Sequence, residues 1–197
     1  CPHFFLKAIR ATVKIVRSFV RSQSDFFSVQ HKSGAGNSVS ASDVGNMDEA
    51  AMQQTLDLAK KYIQLEDSAS AEKLQSLTLD DIRSTDYLAY DPETDGAPEK
   101  TSVSVQLKWL PQAQFMGYYV AEALGYYDEV GLDVTIVSGG GDISETTAVY
   151  NGTVDFGVTW VSNLINANAG GMELLEVAQV YQRSGLVLVY KNDNFKK

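Results

Sequence analysis

The stretch VSVQLKWLPQAQFMGYYVAEALGYYDEVGLDVTIV, residues 103–137, decides the fold. VSVQLKW at 103–109 alternates apolar and polar residues, as a half-buried strand does. PQAQFMGYYVAEALGYY has helical periodicity through Phe115, Tyr119 and Ala123 and stops at Gly125, and LDVTIV at 132–137 is a second strand. Beyond it GGGD turns the chain into a helix over 144–150, and VDFGV at 154–158 is a third strand. VSNLINANAGG is a helix ended by Gly170 and Gly171, LLEVAQVY at 174–181 a fourth strand, and GLVLVYK at 185–191 a fifth. Strands alternating with helices at these lengths predict an α/β fold with a mostly parallel sheet and helices on both faces.

Upstream of this stretch the texture is different. In residues 1–29, Lys7, Arg10, Lys14, Arg17 and Arg21 share one helical face, while Phe5, Ile9, Val13, Val16 and Val20 lie opposite. This basic amphipathic segment reads as a membrane-surface helix, an organelle-targeting segment, the tail of an export signal, or a helix with no partner. Residues 30–100 read as a linker with short helices, partly disordered. HKSGAGNSVSASDVGN is rich in Gly, Ser and Asn; DEAAMQQTLDLAKKYIQL at 48–65 places Met52, Leu56, Ala59 and Ile63 at helical spacing; a second helix is expected near 71–77. TDYLAYDPETDGAPEK at 85–100 is turn-rich, so the compact domain is expected over 101–197.

Charge and cysteine usage narrow the chemistry. Of the 16 basic residues, six precede residue 41 against Asp25 alone, leaving ten against 24 acids in the rest of the net −9 chain. That field is wrong for nucleic acid. One cysteine, Cys1, excludes an internal disulfide framework and a thiolate zinc site, and His3 and His31 both precede the compact part. Cys1 also raises the reading of a lipid-bearing first residue, although the bulky Pro-His-Phe-Phe that follows is unlike such sites. No run of 18 apolar residues is present to span a membrane as a helix.

In an open α/β sheet, ligands gather beyond the carboxyl ends of the strands. That rule selects Trp109, Pro111, Gln112, Gln114 and Phe115 after the first strand, and Gly139, Gly140, Gly141 and Asp142 after the second. It adds Thr159, Trp160, Ser162 and Asn163 after the third, and Gln182, Arg183 and Ser184 after the fourth. Aromatic faces rimmed by amides suit a planar heteroaromatic ligand. Trp109 reads equally as a core residue closing the sheet end, and Phe115 is more often core than ligand platform, whereas Trp160, between a strand end and a helix start, reads as ligand-facing. Tyr119 shares the face of Phe115 and reads as core with Tyr118 toward an edge; Tyr126 and Tyr127 read as packing. SGGGDIS lacks the Lys-Ser/Thr of a nucleotide loop, so its glycines are expected to admit a neutral or cationic ligand while Asp142 either caps the helix or accepts from a ligand amine. Arg183 is expected to pair with Asp142 or to meet an anion. No nucleophile and base stand together, so no catalytic residue is assigned.

WLPQAQFMGYYVAEALGYYDEVGLDVTIVSGGGDI, then GTVDFGVTW, then VAQVYQRSGLVLVYK, in this order, resemble the first lobe of the periplasmic substrate-binding proteins of ABC importers (periplasmic-binding-protein-like, type II). Within them the similarity is to the branch of thiamine-pyrimidine-precursor and riboflavin binders, homologous to thiamine pyrimidine synthases, and it covers residues 101–193. The resemblance implies a truncated first lobe behind a helical or disordered extension, a planar vitamin or precursor as ligand, an ABC permease as membrane partner and no cofactor. It implies an extracytoplasmic setting, periplasm or cell surface, against which the basic segment leaves organelle targeting or the cytoplasm as alternatives. Carried over, Trp109, Gln114, Phe115, Tyr118, Gly140, Asp142 and Trp160 are the ligand-binding residues. The alternative is a synthase making the thiamine pyrimidine from pyridoxal phosphate and histidine with iron. Against it, Cys1, His3 and His31 all lie outside the matching region.

Overall fold

The computed structural model describes residues 45–86, 88 and 100–181. The basic segment, most of the 30–46 and 85–100 linkers, the fifth strand, and Gln182, Arg183 and Ser184 lie outside the described residues.

Three parallel strands form the sheet: β1 (Ser102–Gln106), β2 (Asp133–Val137) and β3 (Phe156–Gly157), in the order β2-β1-β3. Ser102 stands beside Asp133 and Gln106 beside Val137, while on the other edge Val105 and Gln106 stand beside Phe156 and Gly157. The period of two in β1 separates two environments. Val103, Val105 and Leu107 are buried in a core with Leu132 and Val134, under α3 (Met116–Ala123) and α4 (Tyr126–Glu129). Ser104, Gln106 and Lys108 alternate with them and meet polar partners. Ser104 Oγ and N both donate to Asp155, Gln106 Nε2 donates to Ser138 O at 2.8 Å, and Lys108 reaches Glu145 of α5 (Glu145–Tyr150). The expected α/β sheet with helical flanks is present, and α6 (Val161–Ala169) follows β3.

The aromatic helix has a different phase from the one its sequence predicts. A 3₁₀ turn, Ala113–Phe115, precedes α3, and Phe115, Tyr118 and Ala121, three residues apart, form one buried row. Tyr118, expected toward an edge, is therefore 4% exposed, while Tyr119 is only partly buried and Ala123 is exposed. Gly125 ends α3 with φ of 72°, a left-handed turn that starts α4, so Tyr126 and Tyr127 are core residues as expected.

The segment before the sheet is built into a second core. α1 (Glu49–Tyr62) is capped by Asp48 and α2 (Ser68–Ser76) by Asp67, each carboxylate accepting from a backbone N–H three residues on. Met52, Leu56, Ala59 and Leu74 of this pair are buried against Leu164, Ile165 and Ala169 of α6.

Residues 174–181 do not form the fourth strand of this sheet. Their backbone groups are taken elsewhere. Buried Asn168 donates to Leu174 O at 2.8 Å and accepts from Leu174 N at 3.0 Å, and Glu176 and Gln179 make isolated bridges to Arg83 and Gly45. The alternating pattern marks an extended segment, but it runs between α6, Arg83 and Gly45 of the upstream segment, and Gln114, in place of joining the sheet.

Candidate functional site

Beyond the carboxyl end of β1, the segment that follows β2 and the helix α6 border a shallow groove of about 480 Å³, lined among others by Lys108, Asp142, Glu145, Asn163, Asn166 and Met172. Beside it the exits of β1 and β2 lie close together because of a glycine. A Cβ at Gly139 would stand 2.2 Å from Leu107 O and 2.6 Å from Trp109 N, so this position must be glycine for the β2 exit to lie against the β1 exit. Gly140 is less constrained, its nearest side-chain neighbour being Ile143 Cδ1 at 4.0 Å. Gly141 lies under the Trp109 indole, with Cη2 3.5 Å from where a Cβ would sit.

Asp142 is exposed and does not cap α5. Ser144 does so, its Oγ accepting from Thr147 N at 3.2 Å. One residue later Glu145 is 2% exposed and joins the ends of β1 and β3. Its Oε1 accepts from Lys108 Nζ at 2.8 Å and from Thr159 Oγ1. Burial raises the Glu145 carboxyl's pKa, and the hydrogen bonds from Lys108 and Thr159 outweigh it, leaving the group below its ordinary value. Lys108 Nζ also stands over the Trp160 ring, 5.3 Å from its centre.

The anticipated site residues divide accordingly. Trp109 and Trp160 are 41% and 66% exposed but do not line the groove, nor does Gly140; of the ligand-binding residues carried over from the resemblance Asp142 alone lines it. Gln114 is exposed on the 3₁₀ turn, its amide donating to Gln112 Oε1 at 2.8 Å and its carbonyl accepting from Tyr181 OH at 2.7 Å. Phe115 and Tyr118 are placed in the core, each 4% exposed, with no open ring face. Lys108 and Glu145 were not anticipated. The signal was the polar series Ser104, Gln106, Lys108 on one face of β1, which continues to the carboxyl edge. Among the described residues no group of three or more His, Cys, Asp or Glu is placed to hold a metal ion.

A family profile described as NMT1/THI5 like matches residues 112–197. The riboflavin-binding protein RibY of Chloroflexus aurantiacus is 27% identical over 104 residues, which take in 52% of this chain and 30% of that protein. No solved structure is a significant match. Over residues 112–197 the chain is thus similar to the NMT1/THI5-like family, in keeping with the binding-protein resemblance of its motifs.

Proposed function

We propose that this chain is part of a solute-binding protein of an ABC importer that takes up a planar vitamin or vitamin precursor of the riboflavin or thiamine-pyrimidine type. The observation that carries the reading is the pair of exposed indoles, Trp109 and Trp160, at the carboxyl edge of a parallel sheet, where such folds take ligands. A large aromatic that is kept out of the core forgoes burial, and a flat ligand stacked on it recovers that area. Asp142, Gln114 and Asn163 supply donors and acceptors for the rim of the ring. Delivery to a membrane permease and an extracytoplasmic setting complete the proposal; among the described residues no helix is long and apolar enough to cross a membrane itself.

Titration of the 197-residue chain into riboflavin, read by quenching of flavin emission, tests this. Stacking on one aromatic contributes about 1–3 kcal/mol, so Trp160→Ala should weaken binding by about tenfold. Equal titrations of the two proteins would remove Trp160 from the site.

A further inference from the structure

Trp160 is held in an unusual way for an exposed indole. It is 66% exposed, and among the described residues no hydrogen bond holds its side chain. Its resolved tie is the Lys108 ammonium, 5.3 Å from the ring centre. The ammonium is in turn held 2.8 Å from Glu145 Oε1, and the Glu145 side chain is 3% exposed and fixed by Thr159, the residue that precedes Trp160. The contacts thus close a ring, Thr159 to Glu145 to Lys108 to Trp160, that joins the ends of β1 and β3 to the start of α5. Placing a carboxylate under cover is costly unless it is paired and hydrogen-bonded. An ion pair built this way whose remaining contact is an exposed ring does little for the core, and it leaves the ring's other face free.

The charges favour one kind of occupant. Lys108 and Glu145 cancel, so among the charged residues lining the groove Asp142 is uncompensated. A phosphate would meet that acid.

Resting on the ligand reading above, we propose that Lys108 and Glu145 are positioning residues that fix the Trp160 indole as a preorganised platform for a flat ring without a phosphate group. Lys108 occupies one face of the indole and the ligand takes the other, so the cation–π contact sets the orientation of the platform before the ligand arrives.

The first test needs no ligand. In a Trp109→Phe background Trp160 is the only indole, and its fluorescence anisotropy and acrylamide quenching report how firmly the ring is held. Lys108→Met should lower the anisotropy and raise the quenching, and Lys108→Arg should restore both. Because Lys108→Met strands the buried Glu145 charge, the double variant Lys108→Met/Glu145→Gln is measured beside it to keep the fold. Unchanged anisotropy in both Met variants, with intact thermal melts, overturns the positioning role. The second test uses riboflavin and its 5′-phosphate with the native tryptophans in place. Riboflavin should bind the more tightly, and the double variant should lose about fivefold or more of that affinity. Preference for the phosphate overturns the selectivity. Failure of the unaltered chain to bind riboflavin overturns the ligand reading and the platform's use, while the anisotropy result separately decides whether the ring is held by Lys108.

Discussion

Glu176 and Arg83 are neighbours in a parallel bridge, with Glu176 N donating to Ile82 O at 2.8 Å and Ser84 N to Glu176 O at 2.9 Å. Their side chains do not share this closeness. Arg83 pairs with Glu49 at 2.7 Å, whereas the buried Oε2 of Glu176 has no hydrogen-bond partner. Burial pushes the Glu176 carboxyl up from 4.5 to about 7, with Arg83 pulling the other way. A raised carboxyl pKa means that the folded chain holds a proton which the unfolded chain has lost. Stability therefore falls as pH rises from 4.5 to about 7, and the full cost, up to about 3 kcal/mol, persists above that. Glu176→Gln removes the ionisation. The variant should melt with the unaltered chain near pH 4 and above it at pH 8; a constant difference in melting temperature between the two pH values would contradict the assignment.

Gly139 and Gly140 are adjacent but should respond in opposite ways to the same change. At Gly139 an added Cβ meets backbone at 2.2 Å, and backbone cannot swing aside as a side chain end can. Gly139→Ala should destabilise the chain by about 1–3 kcal/mol or more and disturb the β1–β2 exits. Gly140→Ala meets its nearest neighbour at 4.0 Å and has no left-handed φ, so its melting temperature should stay within experimental scatter of the parent. Thermal melts of the two single variants make the comparison, and equal losses would show that the close approach is absent.

What the sequence made legible here follows from how local each cause is. β1, β2, α5 and α6 are encoded by periods within a few residues, and the Gly170–Gly171 pair marks a helix end by local chemistry, whereas the cap of α5 is Ser144 and not the Asp142 that the sequence offered. The phase of α3 was not legible, because spacings of three and of four both fit a helix: Tyr118, three residues after Phe115, is buried, and Tyr119, four after it, packs only partly buried against the core. Period two placed Lys108 on the face of Ser104 and Gln106, but period names a face and not a partner. Glu145 lies 37 residues away and is brought close only by the crossover through β2. The same holds for 174–181, whose extended pattern was readable while its contacts with Gly45 and Arg83, on a distant segment, were not.

Asp155 closes the N-terminal side of the β1–β3 pair. Its Oδ2 accepts from Ser104 N at 2.8 Å and Ser104 Oγ at 2.9 Å, and Lys100 pairs with the other oxygen. Burial raises this carboxyl, and the hydrogen bonds from Lys100 and Ser104 prevail, so its pKa is below the ordinary value of 3.8. A depressed carboxyl pKa stabilises the fold above the unfolded value and loses that contribution as pH falls through the folded one. Asp155→Ala should cost about 1–3 kcal/mol at pH 7, because the Ser104 N–H then lacks its acceptor. Melts at pH 7 and pH 2.5 check the sign: the difference from the parent should shrink at the lower pH.

The contact between the upstream helices and α6 gives the last prediction. Leu56 and Ile165 are both fully buried in the same cluster, one from α1 and one from α6. Deleting buried methyl and methylene groups costs about 2–5 kcal/mol when the surroundings cannot collapse. Leu56→Ala and Ile165→Ala should each lie in that range. Because both side chains belong to one cluster, the double variant should cost less than the two single losses added together. Denaturant unfolding of the four proteins measures this coupling. Strict additivity would mean that the α1–α2 pair and α6 do not depend on one another, and the residues upstream of the family match would then be a passenger on the sheet and not part of its support.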